Sequence, residues 1–235
     1  MHPSAMLNGK QFFDTYQSAF ADLPGVLVLD IGAQNVNGSL KEVCPAGFRY
    51  VGVDFVAGQG VDVVLTDPYV LPFPDASADI VVSSSCFEHS ELFWVVFLEI
   101  MRVLKPRGLF YLNAPANGMI HRYPVDCWRF FPDSGLALVT WARRHGMRAL
   151  LLESYISRQQ PSQQIFDQWN DFVAVFLRDE TCLDRFPRRI LDTKTDFENG
   201  RRAGLDTILQ PSALNEDQKK LALISQVVAN HVRVS

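Results

Sequence analysis

The sequence has 235 residues, with 22 Lys or Arg and 26 Asp or Glu, so its formal net charge is −4. Hydrophobic residues make up 48% and charged residues 20% of the chain, which is typical of a globular protein and excludes bulk disorder. The acidic surplus argues against a protein that coats nucleic acid, because phosphate binding requires a basic surplus.

In chain order, the first predicted element is an amphipathic helix over roughly residues 8–21, where aromatic residues recur at three- and four-residue spacing. Short apolar, β-branched segments then predict buried strands at residues 26–31, 49–54, 61–65, 78–83, 109–113, 147–156 and 169–178. Helices are predicted at about residues 37–43, 91–104, 133–145 and 216–232.

Strands that alternate with helices predict an α/β fold with a largely parallel sheet covered on both faces. We expect three parts: an N-terminal helix in residues 1–24, a central domain in residues 25–178, and a partly helical C-terminal extension in residues 179–235. Ligands of such sheets bind at the carboxyl ends of the strands. The loops to inspect are therefore residues 32–38, 54–60, 66–75, 84–91 and 114–131.

Seven short segments at and near these strand ends form an order that is distinctive as a whole. They are Asp30-x-Gly32, Asp54, Asp67, Leu71-Pro72-Phe73, Asp79-Ile80-Val81, Glu88-His89 and Leu104-Lys105-Pro106-x-Gly108. Over about residues 25–150, this order resembles the class I S-adenosylmethionine-dependent methyltransferases, specifically the small-molecule, methyltransferase type 11-like branch.

The resemblance implies a Rossmann-like, seven-stranded, mostly parallel sheet with helices on both faces and a reversed last strand, followed by the C-terminal helical extension. It also implies S-adenosyl-L-methionine as the cofactor. The methionine part is expected to lie against Asp30, Gly32 and Gly38, and the ribose against Asp54. The other implied cofactor-binding residues are Phe55 as an apolar neighbour of the adenine, Asp67 at its amino group, Pro68 beside it, and Ser84.

The glycine-rich loop departs from the family pattern, because Gln34 stands where the family commonly has its middle glycine. A residue with a Cβ restricts φ, so we expect Asn35 or Asn37 to supply a left-handed turn instead. The departure leaves a non-catalytic nucleoside-cofactor binding module as an alternative function. A dinucleotide-binding domain is disfavoured, because Gly32 lacks the partner glycines of a phosphate-binding loop.

Methyl transfer to a hydroxyl requires a group that removes a proton, and two histidines are the candidate catalytic residues. His121, in the long loop after the fifth strand, is the first choice, and His89, after the fourth strand, is the second. The alternatives are that His89 caps the following helix and that His121 is a loop histidine hydrogen-bonded to Asp126.

The loop that carries His121 mixes aromatic, cationic and acidic residues, as walls of substrate sites often do. Its candidate substrate-binding residues are Arg122, Tyr123, Asp126, Trp128 and Arg129. The arginines suit a phosphate or carboxylate on the substrate, although Arg129 could equally pair with a local acid. We expect a hydroxyl acceptor on a sugar, nucleotide-sugar or secondary metabolite, with an N-methyltransferase as the alternative.

The remaining expectations concern metal, location and assembly. Four widely spaced cysteines form no C-x-x-C pair, so no metal site is predicted and the thiols are expected to be reduced. The sequence shows neither an apolar run of about 20 residues nor a secretory signal pattern. We therefore expect a cytoplasmic enzyme with no membrane or nucleic-acid partner, and a possible homodimer through the apolar stripe of residues 216–232.

Overall fold

The computed structural model describes residues 3–159 and 169–232. Residues 1–2, 160–168 and 233–235, which the three predicted parts include, lie outside the described residues. The helices are α1 (Pro3–Tyr16), α2 (Phe93–Val103), α3 (Ser134–Arg144) and α4 (Glu216–Val232). The strands are β1 (Leu27–Ile31), β2 (Arg49–Asp54), β3 (Val63–Val64), β4 (Ala78–Ser84), β5 (Leu104–Pro115), β6 (Leu150–Ser157), β7 (Asp171–Leu177) and β8 (Phe197–Arg202).

The described strands form one sheet in the order β3-β2-β1-β4-β5-β7-β6-β8. Strands β1 to β5 pair in parallel, whereas β7 runs antiparallel to both β5 and β6. The predicted α/β, Rossmann-like sheet with a reversed strand is therefore confirmed. The described sheet has eight strands rather than seven, because β8 from the C-terminal extension pairs antiparallel with β6.

Several predicted elements differ in length from the observed ones. Helix α1 begins earlier than predicted, at Pro3, and continues as a 3₁₀ turn over Gln17–Phe20. The helix predicted at residues 37–43 is a single 3₁₀ turn, Leu40–Glu42. Strand β5 begins at Leu104, before the strand predicted at residues 109–113, and its pairing is irregular near its start, since Ala78 pairs with Leu104 but Ile80 pairs with Leu109.

Each face of the sheet has its own apolar core. Alternation along β5 sends Phe110 and Leu112 towards α2 and α3, and sends Leu109 and Tyr111 towards α1. Because the central strands are buried on both faces, their sequences are nearly continuous runs of apolar residues. Among the described residues, no helix combines the length and the apolar composition that crossing a bilayer requires.

Helix α1 is fixed to the sheet by buried polar contacts as well as by its aromatic residues. The Ser4 hydroxyl donates to Asp171 (2.9 Å), and the Tyr16 hydroxyl donates to Glu153 (2.5 Å). Between them, the Asn8 side-chain amide donates to Asn113 (3.0 Å). Buried polar groups need such partners, so these contacts specify how α1 sits on β5, β6 and β7.

The carboxyl ends of the parallel strands meet at one edge of the sheet. Because β7 is reversed, it begins at the edge where β5 ends, and Asp171 accordingly pairs with Pro115. Trp169, two residues before β7, therefore lies at the same cavity as the loops that follow β1, β2, β4 and β5. A cavity opens at this edge.

Candidate active site

A cavity of about 1040 Å³ opens at the carboxyl edge of the sheet. Small-molecule sites commonly occupy about 300–1,000 Å³, so this cavity has room for a cofactor together with a second small molecule. The predicted site residues that line it are Gly32, Gly38, Asp54, Phe55, Pro68, Ser84, His89, His121, Arg122 and Tyr123. Asp30, Asp67, Asp126, Trp128 and Arg129 do not line it.

The loop after β1 brings the backbone close to the end of β4. Gly32 has a φ of +85°, and a Cβ at this position would lie 2.5 Å from Cys86 Cβ. Glycine is therefore needed both for the backbone conformation and for the close approach. The predicted left-handed turn at Asn35 or Asn37 is wrong, since neither has a positive φ; instead Asn35 Oδ1 accepts the Gly38 N–H (2.9 Å).

Asp54, at the end of β2, is the buried carboxylate of this half of the cavity. Its two oxygens accept the backbone N–H groups of Gln34 (3.1 Å) and Val56 (3.2 Å). A carboxylate oxygen has two lone pairs, so each oxygen keeps one acceptor position. Phe55 beside it is 47% exposed and offers an apolar surface. Free carboxylate acceptors next to an exposed ring suit the ribose and base of a nucleoside.

Two acidic residues of the predicted cofactor set lie away from the cavity. Asp30 is buried behind the β1 loop and accepts a hydrogen bond from the Tyr50 hydroxyl (2.6 Å), and its burial raises its pKa to about 7. Asp67 is exposed, and its Oδ1 accepts the Tyr69 N–H (2.8 Å). The cofactor roles of Asp30 and Asp67 stay predictions.

Two histidines from different loops meet at the other end of the cavity, with ring centroids 4.8 Å apart. His89 Nδ1 lies 2.5 Å from the Val125 carbonyl, and His121 Nδ1 lies 3.3 Å from the Met119 carbonyl. A carbonyl oxygen only accepts, so Nδ1 of each ring carries the proton and Nε2 keeps its lone pair. Burial lowers the pKa of His89, which favours the neutral ring.

Glu88 lies beneath the histidines and is 1% exposed. Its Oε1 is 3.6 Å from His89 Nε2, and neither carboxylate oxygen has a hydrogen-bond partner among the described residues. Burial raises the pKa of Glu88 to about 8. The backbone carbonyl of Glu88 accepts the N–H groups of Cys127 (2.7 Å) and Trp128 (3.3 Å), which ties the two loops together.

Asp126 and Arg129 form a hydrogen-bonded ion pair within the loop that carries His121. The Arg129 guanidinium donates two hydrogen bonds to the Asp126 carboxylate (2.6 and 2.9 Å), which also accepts the backbone N–H of His121 (2.8 Å). The guanidinium lowers the pKa of Asp126 to about 2. Arg129 thus pairs with a local acid. The Trp128 indole donates to the Ser90 carbonyl (3.0 Å).

Arg122 and Tyr123 are the members of the predicted substrate set that line the cavity. Both are exposed, and the Arg122 guanidinium has no hydrogen bond or ion pair with another residue in ranges 3–159 and 169–232. Arg122 is therefore available to an anionic group of a ligand, whereas Arg129 is already occupied.

Sequence reasoning missed several residues of this site. They include Gln34, Val56, Tyr69, Cys86 and Trp169, which line the cavity, and Glu88, which lies against its histidines. Trp169 could have been predicted, because it stands at the start of the predicted reversed strand, and a reversed strand begins at the edge where the parallel strands end. Gly118 has no room for a Cβ, which would lie 1.9 Å from the Trp169 ring.

Comparison with known proteins agrees with this architecture. Residues 27–112 match the family described as a methyltransferase domain. No curated protein matches the sequence.

Among solved structures, an N1-methyltransferase of Burkholderia thailandensis, with bound 1,6-didemethyltoxoflavin and S-adenosylhomocysteine, has a TM-score of 0.55 at 15% identity; the match covers 75% of this chain and 79% of that one. An S-adenosylmethionine-dependent methyltransferase of Methanosarcina mazei has a TM-score of 0.50 at 15% identity, covering 67% and 94%. A putative sarcosine dimethylglycine methyltransferase of Galdieria sulphuraria has a TM-score of 0.50 at 14% identity, covering 74% and 86%. These likenesses concern the fold.

Proposed function

The chain carries a class I S-adenosylmethionine-dependent methyltransferase domain of the type 11 branch, and we propose that it methylates a hydroxyl group of a small molecule. Its cofactor is S-adenosyl-L-methionine, which supplies a methyl group on a sulfonium. The proposed acceptor is a sugar, a nucleotide-sugar or a secondary metabolite. The proposed setting is the cytoplasm, which suits four cysteines that are free thiols.

The residues around Asp54 fit the cofactor. Its two remaining acceptor positions would take the two ribose hydroxyls, and the exposed face of Phe55 would cover the adenine. Gly32 and Gly38 would let the methionine part approach the backbone. We assign Ser84, at the end of β4 in the same cavity, to the cofactor half as well.

The observation that carries the choice of a hydroxyl is the pair of imidazole Nε2 lone pairs at the acceptor end of the cavity. A neutral amine already has a lone pair, whereas a hydroxyl must lose a proton as it attacks the methyl carbon. We assign His121 as the first candidate to receive that proton and His89 as the second. Arg122 would hold a phosphate or carboxylate of the acceptor.

The test has two stages. Calorimetry with S-adenosylmethionine and S-adenosylhomocysteine measures cofactor binding, and absence of binding to both would refute the proposal. Methyl-labelled S-adenosylmethionine is then incubated with a panel of hydroxylated metabolites, with and without anionic groups. A labelled methyl ether supports the proposal, and a labelled amine would replace it with N-methylation. Binding without transfer to any acceptor would favour the non-catalytic module.

A further inference from the structure

We propose that Glu88, His89 and His121 bind a divalent transition-metal cation at the acceptor end of the cavity. The inference deepens the proposed function and rests on it, since the cation would hold the acceptor's hydroxyl group. The described residues hold one such group of potential ligands, and its atoms come from the loops after β4 and β5.

The geometry of the three side chains suits a metal site. One ligand atom of each residue lies within 4.8 Å of the other two. Ligands about 2.1 Å from one cation lie at most about 4.2 Å apart, so side-chain adjustments of about half an ångström would close the group around it. Two histidines and one carboxylate occupy one face of a coordination sphere and leave the other positions open.

The contacts of both rings match those of metal-ligating histidines, which donate the other ring N–H to a carbonyl or carboxylate. His89 Nδ1 has the Val125 carbonyl, and His121 Nδ1 has the Met119 carbonyl, with Asp126 Oδ2 3.4 Å away. These contacts fix both ring orientations and leave Nε2 as the ligand atom. Asp126 is itself held by Arg129, so the outer contacts are ordered in turn.

Glu88 supplies an independent reason for a cation at this place. Its carboxylate is buried, has no hydrogen-bond partner among the described residues, and lies beside His89 Nε2. A buried carboxylate without a partner is destabilising, whereas a bound cation compensates the lost hydration. The mixture of two imidazoles and one carboxylate favours Zn²⁺, Mn²⁺ or Fe²⁺ over Mg²⁺ and Ca²⁺, which prefer oxygen ligands.

The cation would change how the proton of the acceptor is removed. A hydroxyl held by a divalent cation has a lowered pKa, so its O–H bond breaks and the proton passes to water. The oxygen then bonds to the methyl carbon while the C–S bond breaks, and that electron pair stays on sulfur, giving S-adenosylhomocysteine. In this arrangement the histidines hold the cation, and the cation takes over the activation that a histidine base would otherwise provide.

The test uses full-length protein without a histidine tag, freed of metal by a chelator. Calorimetric titration with Zn²⁺ should give about one site per chain, and Glu88→Gln and His121→Ala should each weaken binding at least tenfold. His231→Ala is the matched control, because His231 is an exposed histidine on α4 and should leave Zn²⁺ affinity unchanged. Absence of a Zn²⁺ site, or a site that both variants retain, would overturn the inference.

Two further measurements keep the outcome clear. Pulsed EPR of the wild-type protein with bound Mn²⁺ should show coupling of the metal to two imidazole nitrogens. This measurement does not depend on the folding of a variant. Absence of the coupling would count against the site. Affinity for S-adenosylhomocysteine is measured in parallel on every protein. If the wild type does not bind S-adenosylhomocysteine, the proposed function is refuted. If the wild type binds S-adenosylhomocysteine but no metal, only the cation site is refuted.

Discussion

Asp54 accepts hydrogen bonds from two backbone N–H groups of the loops after β1 and β2 and keeps acceptor positions for a ligand. Hydrogen bonds to a charged group contribute roughly 1.5–3 kcal/mol. We therefore expect Asp54→Ala to weaken S-adenosylhomocysteine binding about ten- to a hundredfold, measured by calorimetry. Asp14→Ala is the comparison, because Asp14 is an exposed residue of α1 that does not line the cavity and belongs to no predicted site. Equal affinities in Asp54→Ala and the wild type would remove Asp54 from the cofactor site.

His121 and His89 are predicted to matter for transfer rather than for cofactor binding. We expect His121→Ala to lower turnover on the order of a hundredfold or more while S-adenosylhomocysteine affinity holds. His89→Ala is the paired variant, assayed with the same acceptor. A larger loss at 89 than at 121 would reverse the ranking, and loss of folding in either would indicate a structural role.

Asp171 should make stability depend on pH. Its burial at the start of β7 raises its pKa from 3.8 to about 6, although the Ser4 hydroxyl donates a hydrogen bond to it. The folded state therefore binds the proton more tightly than the unfolded state does. The free energy of unfolding should fall, by up to about 3 kcal/mol, as pH rises from about 4 to 6.

The measurement compares the wild type with Asp171→Asn by urea unfolding at several pH values. Asp30 and Glu88 are also buried carboxylates with raised pKa values, so only the difference between the two proteins reports on Asp171. The free energy of unfolding of the wild type minus that of Asp171→Asn should fall as pH rises from 4 to 6. Parallel pH profiles for the two proteins would contradict the assignment.

At the scale of single residues, the sequence predicted side chains whose role follows from position at a strand end. Asp54, His89 and His121 are such residues, and all three line the cavity. Glu88 was passed over because its significance lies in burial without a partner, which no sequence pattern reports. Asp126 and Arg129 were predicted to bind the substrate; in the structure they pair with each other and do not line the cavity, and their substrate role stays a prediction.

At the scale of elements, continuous apolar segments located β1, β2 and β4 to within one residue at each end, because strands buried on both faces have little freedom of composition. Strand β8 was not predicted, because its sequence, Phe197–Arg202, is mostly polar and its pairing with β6 is a long-range contact. Strand β3, Val63–Val64, lies within the strand predicted at residues 61–65 but is only two residues long.

Helix α1 offers an element-scale prediction. The Tyr16 hydroxyl is one of three donors to the buried Glu153, together with the N–H groups of Ile190 and Leu191. Tyr16→Phe removes one donor and should lower the free energy of unfolding by about 1–3 kcal/mol. Tyr123→Phe is the control, because the Tyr123 side chain is exposed. Equal urea midpoints for Tyr16→Phe and the wild type would show that the Tyr16 hydroxyl does not anchor α1.

At the scale of the whole molecule, α4 is attached to the domain only near its beginning in the described residues. Lys219 pairs with Glu198, and Asn117 donates to Asp217 (3.1 Å). Beyond these contacts, an apolar stripe of Leu221, Ile224 and Val228 is 55–63% exposed. Helices in proteins are stabilised mainly by packing of an apolar face, so this stripe needs a cover.

We expect a second copy of the chain to provide that cover, since two-fold dimers are the commonest symmetric assembly. Light scattering should give about twice the 26.5 kDa mass of one chain. The double variant Ile224→Glu, Val228→Glu should be monomeric, because each dimer would bury four added charges. Gln226→Glu is the control, as position 226 lies on the opposite side of α4 from the stripe. A wild-type monomer at high concentration would sink the prediction, and a dimer that survives the double variant would place the interface elsewhere.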